Sequence, residues 1–70
     1  MGKVVTNMAG NVWKILVRQG DAVEEGQNVV ILESMKMEIH IAAEAKGVVK
    51  EVKVNEGDFV NDGDVLVELE

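Results

Sequence analysis

An internal repeat constrains this chain more than any other feature. Shifted against itself by 37 positions, residues 10–33 (GNVWKILVRQGDAVEEGQNVVILE) align with residues 47–70 (GVVKEVKVNEGDFVNDGDVLVELE), and ten of the 24 pairs are identical. The identities are turn glycines (Gly10/Gly47, Gly20/Gly57, Gly26/Gly63) with apolar and acidic residues set between them, such as Val12/Val49, Asp21/Asp58 and Leu32/Leu69. Shared glycines at turns are what a shared backbone path demands. Two copies are too few for an open stack of repeats, so the halves must close on each other about a pseudo-twofold axis. Carrying the offset back to the N-terminus pairs Val4 with Ile41, so the copies run over residues 1–33 and 38–70. Residues 34–37 belong to neither copy. The twofold mate of that joint is the gap between Glu70 and Met1, so Lys36 is expected to stand at the end of the domain opposite both termini.

Within each copy the pattern is that of strands. Ile15 and Val17, repeated as Val52 and Val54, alternate with polar neighbours as half-buried strands do. The three-residue spacings Val12/Ile15 and Leu66/Leu69 indicate bulges at bends. Gly20-Asp21 to Gly26, and Gly57-Asp58 to Gly63, read as tight reversals. Only residues 41–46, with Ala42, Ala43 and Ala45, hint at helix, and that run is too short to nucleate one alone. The expected fold is all-β: eight short strands in two four-stranded antiparallel sheets, forming a flattened barrel in which residues 1–70 make one domain. The predicted core is Val12, Ile15, Val17, Val23, Val30, Leu32, Ile39, Ile41, Val49, Val52, Val54, Val60, Leu66 and Leu69. Trp13 is assigned to the partial core, or else to a partner contact, because its repeat mate is Lys50.

Composition then removes function classes. A 70-residue chain without cysteine has no disulfide or thiolate metal site to lean on, and its stability must come from apolar packing. Trp13 and Phe59 are the only aromatic residues, so the stacking platforms that hold single-stranded nucleic acid are missing. A net charge of −6 disfavours nucleic acid and anionic membranes as partners. No apolar run is long enough to cross a membrane. The absence of cysteine fits a reducing, cytoplasmic setting. The acids near Asp21, Asp58 and Asp64 lie in turns, where short acidic side chains are ordinary, and no metal spacing results. His40, the single histidine, is expected to face solvent or a neighbour. Nothing resembles the machinery of an independent enzyme.

Residues 29–42 fold back on themselves when Met35-Lys36 is taken as a two-residue loop. Leu32 then faces Ile39, Val30 faces Ile41 and Ser34 faces Met37, so one face is consistently apolar. Glu33 falls opposite Glu38, a like-charge pair that normally destabilises. Two-residue hairpins favour Asn-Gly or Asp-Gly, whose backbones accept left-handed angles. Met and Lys in their place imply either local strain, which often marks function, or a longer irregular turn with a merely solvated lysine.

Around that loop the string Glu33-Ser34-Met35-Lys36-Met37-Glu38 resembles the attachment site of the biotinyl/lipoyl domain family. Gly-Asp-x-Val-x-x-Gly at 20–26 and 57–63 and Met8-Ala9-Gly10 resemble the same family. The likeness covers nearly the whole chain and is nearest to its standalone biotin/lipoyl attachment proteins. Prolines common in relatives are replaced here by Asn7, Ala9 and Glu44, and the protruding insertion of some bacterial acetyl-CoA carboxylase carriers is absent. The resemblance implies that a biotin protein ligase joins biotin to Lys36 through an amide. Met35, Met37, Glu33 and Ser34 would help that enzyme recognise the site. The loaded domain, a monomer on its own, would then move a carboxyl group between biotin carboxylase and carboxyltransferase subunits. An amine is almost wholly protonated at neutral pH, so activation would fall to the ligase. Lipoate on the same Lys36 is the rival reading, although lipoyl domains usually carry an acidic residue before the lysine and Ala after it. An unmodified adaptor domain of the same fold is the third.

Overall fold

The computed structural model describes residues 2–70 and contains eight strands: β1 (Gly2–Val5), β2 (Gly10–Ile15), β3 (Ala22–Val23), β4 (Asn28–Ser34), β5 (Met37–Ala42), β6 (Gly47–Val52), β7 (Phe59–Val60) and β8 (Val65–Leu69). They form two four-stranded sheets, ordered β1-β8-β6-β3 and β5-β4-β2-β7, with every pairing antiparallel. Adding 37 to the residue numbers carries β1 onto β5, β2 onto β6, β3 onto β7 and β4 onto β8, and so maps one sheet order onto the other. The expected all-β pseudo-twofold architecture is the one observed.

The relation extends to individual hydrogen bonds. Thr6 N donates to Asp64 O at 3.0 Å, and its mate Ala43 N donates to Gln27 O at 2.9 Å. Gly57 N donates to Val12 O at 2.7 Å, and Gly20 N to Val49 O at 2.8 Å. In the turns, Asp21 Oδ2 accepts from Arg18 N and Asp58 Oδ2 from Asn55 N, each at 2.9 Å. These carboxylates satisfy backbone donors of their own reversals, which is why Asp recurs there. Among the described residues no group of three His, Asp or Glu side chains is placed to hold a metal ion, and no helix is long and apolar enough to cross a membrane.

The inner faces of the sheets supply the core. Ten of the predicted core residues are buried, and Ile15, Ile39, Val52 and Val54 are partly buried against them. Val4, Val29, Ala43 and Val67 join the buried set, with Thr6 as its polar member. Thr6 is satisfied internally, because its Oγ1 donates to Met8 O at 2.6 Å. Bulges explain the three-residue spacing: the β2–β4 register shifts between Val12 and Lys14, and β1–β8 shifts between Val4 and Val5, opposite Val67 and Val65.

One expectation is met and one is corrected. Residues 41–46 contain no helical turn, as expected of a run too short to nucleate one. Ile41 and Ala42 finish β5, whose cross-strand bonds override the alanines' weak preference. Trp13 is not partial core: it is the extra residue of the β2 bulge, which turns its ring outward to 45% exposure. Lys14 Nζ lies 5.6 Å from the ring centroid, a contact typical of an aromatic face open to water.

Candidate functional site

Strands β4 and β5 are joined by Met35 and Lys36 alone. The register is Ser34↔Met37, Glu33↔Glu38, Leu32↔Ile39, Ile31↔His40 and Val30↔Ile41, as the apolar alternation predicts. Both loop residues lie in the left-handed region, with φ of 52° at Met35 and 64° at Lys36. Two successive positive φ values are the mark of the turn whose twist matches flanking antiparallel strands. The longer, irregular loop is therefore excluded. Every other positive φ among the described residues belongs to glycine, so the chain accepts this conformational cost only at the hairpin apex.

The strain is held by what lies beneath. Leu32 is fully buried and faces Val12 on β2 and Ile39 on β5, so β4 is clamped from both sides. Close by, Gly10 is buried against the end of β4. A Cβ there would come within 3.0 Å of Glu33 O and 3.5 Å of Ser34 Cβ. Glycine lets β2 approach the last turn of the hairpin without a side chain between them. Substituting Met35 by Asn, which tolerates left-handed angles, should stabilise the domain by about 0.5–1 kcal/mol. Urea unfolding should show this as a higher midpoint with an unchanged slope; a lower midpoint would refute strain at the apex.

At the apex the side chains point to water. Met35 is 91% exposed and Met37 61%, while Lys36 and both glutamates are exposed and Ser34 is intermediate. Among the described residues Lys36 makes no side-chain hydrogen bond or ion pair. His40, the only imidazole, lies three cross-strand pairs below the closing pair, roughly 10 Å away along the strand. Its Nδ1 sits 3.0 Å from Asn28 Nδ2 and its Nε2 3.7 Å from Glu38 Oε1. It cannot take a proton from the Lys36 amine. A surface hollow bordered by Gly2, Lys3, Lys50 and Glu68 lies on the other sheet, and a smaller one is bordered by Val5, Asn7, His40 and Glu44. Neither reaches the apex. The arrangement therefore displays an amine on a fixed corner and gives it neither base nor substrate pocket.

This geometry matches a known group of proteins: residues 1–69 fit the family model described as biotin-requiring enzyme. The chain belongs to the biotin/lipoyl family. It is 65% identical over 66 residues to the biotin/lipoyl attachment protein of Bacillus subtilis, covering 94% of this chain and 90% of that protein. It is 44% identical over 68 residues to the biotin carboxyl carrier protein of acetyl-CoA carboxylase from Solanum lycopersicum, covering 97% of each. The urea carboxylase of Kluyveromyces lactis contains a similar fold, with a TM-score of 0.91 and 32% identity, covering 99% of this chain but 6% of that enzyme. In this biotin/lipoyl family member, the five residues singled out from sequence (Glu33, Ser34, Met35, Lys36 and Met37) all fall on the apex or its last two paired steps.

Proposed function

We propose that residues 1–70 act as one non-catalytic biotin carrier domain, acylated at the Nζ of Lys36 by a biotin protein ligase. The observation that carries this reading is the apex itself: one unpaired, exposed lysine on a two-residue left-handed turn braced by buried Leu32. An amide-linked group suits that lysine, because no neighbouring side chain must be displaced to form the bond. When bound, biotin supplies a ureido nitrogen that takes up and releases a carboxyl group. The protein's own contribution is positional. The β4–β5 register fixes where Nζ starts, the two methionines offer adaptable apolar contact on either side, and Glu33 and Glu38 present negative charge to an incoming enzyme. A tethered group then visits a biotin carboxylase site and a carboxyltransferase site at high effective concentration without tight docking. These partners belong to the cytoplasm in this reading, and the domain alone is a monomer.

The same lysine also suits lipoate, a reading favoured by the double name of the Bacillus subtilis relative. Co-expression with a biotin protein ligase, followed by intact-mass measurement and peptide mapping, separates the possibilities. A single biotinyl increment on the peptide containing Lys36 is expected. A lipoyl increment there would move the chain to 2-oxoacid chemistry, and an unmodified chain would leave only an adaptor role.

A further inference from the structure

The backbone obeys the twofold relation, but the outer surface does not. On the outer face of the sheet that carries Lys36, one row of paired residues runs Glu38–Glu33–Asn11–Phe59, a single step below the closing pair Ser34↔Met37. Phe59 is 61% exposed, and its twofold mate is Ala22. The chain's other aromatic residue, Trp13, is exposed on the same sheet and has Lys50 as its mate. Both aromatic rings of the molecule thus lie on the Lys36 sheet. Their mates hold equivalent backbone positions in the other sheet without a ring, so the fold does not require either one. Exposed aromatic side chains are enriched at protein interfaces.

We propose that Phe59 is an anchor for the enzyme that acylates Lys36, received in an apolar recess with a basic rim. This inference rests on the function proposed above and adds the surface that the loading enzyme grips. The occupant follows from reach. Before loading, the amine extends from the apex by only one lysine side chain, so the acylating enzyme must bring its own surface against the flanks of the hairpin. After loading the arm is longer, and later partners can stand further off. Neighbouring strands lie about 4.8 Å apart, which puts Phe59 roughly 10 Å from Glu33 across two spacings. That distance fits within a patch of about 800 Å² centred on the apex, the usual share of one partner in a stable interface. The charge is complementary to a basic rim: Glu33 and Glu38 stand opposite each other with no lysine or arginine paired to either among the described residues. The net charge of −6 steers the approach in the same sense.

Steady-state kinetics of ligase-catalysed biotinylation, followed by intact mass, test this. Phe59→Ala installs the residue that the twofold mate already carries, so it should fold with an unfolding midpoint close to that of the parent. Its KM as protein substrate should rise about tenfold, with kcat within about twofold. Phe59→Leu should recover most of the loss, because a recess reads apolar bulk. Adding Ala22→Phe to Phe59→Ala should recover none, because the ring is then on the wrong sheet. A KM for Phe59→Ala within about twofold of the parent overturns the inference while leaving Lys36 as the acceptor, as does recovery by Ala22→Phe. A parent chain that gains no increment at Lys36 overturns the carrier reading itself, and this inference with it.

Discussion

Lys36→Arg is expected to abolish covalent loading and to leave the unfolding midpoint of the domain unchanged. The side chain is exposed and makes no bond that folding depends on. Arginine accepts the φ of 64° no better and no worse than lysine, and it keeps the positive charge. It loses only the chemistry, since a guanidinium stays protonated and does not attack an acyl group. Five other lysines (Lys3, Lys14, Lys46, Lys50 and Lys53) remain available, so the variant also asks whether position or mere amine content decides. Intact mass after co-expression with the ligase gives the answer. A residual increment comparable to the parent would show that another lysine is the acceptor. A sharper form exchanges the two apex residues, with Met35→Lys and Lys36→Met together. The amine then leaves the same turn from its other position. Misplacement by about 1 Å can cost about 10²-fold in rate, and loading should slow by at least that much.

The second large effect is on stability. Leu32→Ala should leave the domain mostly unfolded at 25 °C. Leu32 is completely buried between Val12 and Ile39, and removing it costs transfer free energy together with the cavity left behind, about 2–5 kcal/mol. A single core in a chain this short rarely supplies more than about 3–5 kcal/mol in total. The loss is thus comparable to the whole. Its twofold mate Leu69 retains 6% exposure, so Leu69→Ala should fall at the low end of that range. Urea unfolding monitored by far-ultraviolet circular dichroism separates the two. If Leu32→Ala stays native and shifts by less than about 1 kcal/mol, the sheets must collapse around the vacancy and the clamp on β4 is weaker than its burial implies.

The hairpin was legible in sequence because its register is over-determined. Sliding β4 against β5 by one residue would turn one strand's apolar set, Leu32 and Val30 or Ile39 and Ile41, to water. The bulges were less legible. Val29 and Val30 are consecutive and both fully buried, as are Leu66 and Val67, since the register shifts beside each pair. Alternation cannot announce two adjacent inward residues. Val29 and Val67 were therefore missed while Val30 and Leu66 were found. Thr6 and Ala43 escaped for another reason: they are small, they are twofold mates outside the identical pairs, and each lies just past the end of its strand, held by backbone hydrogen bonds to the turn that precedes the neighbouring strand. Trp13 was misplaced because bulk favours burial on average, whereas its mate Lys50 pointed to an outward position. At the apex, spacing alone located the exposed corner and its strain. The identity of the group proposed for Lys36 came only from likeness to relatives.

The pairing of Gly2 with Leu69 has a topological consequence. In one sheet the hairpin partners are sewn together by Met35 and Lys36, while in the other the equivalent strands β8 and β1 lie side by side with the seam left open. Stitching that seam with a copy of residues 34–37 would convert the molecule into an endless ring with a corner at either end, alike in backbone but flanked by different surfaces. Cutting the original corner afterwards would return a permuted chain that presents its lysine from the opposite pole.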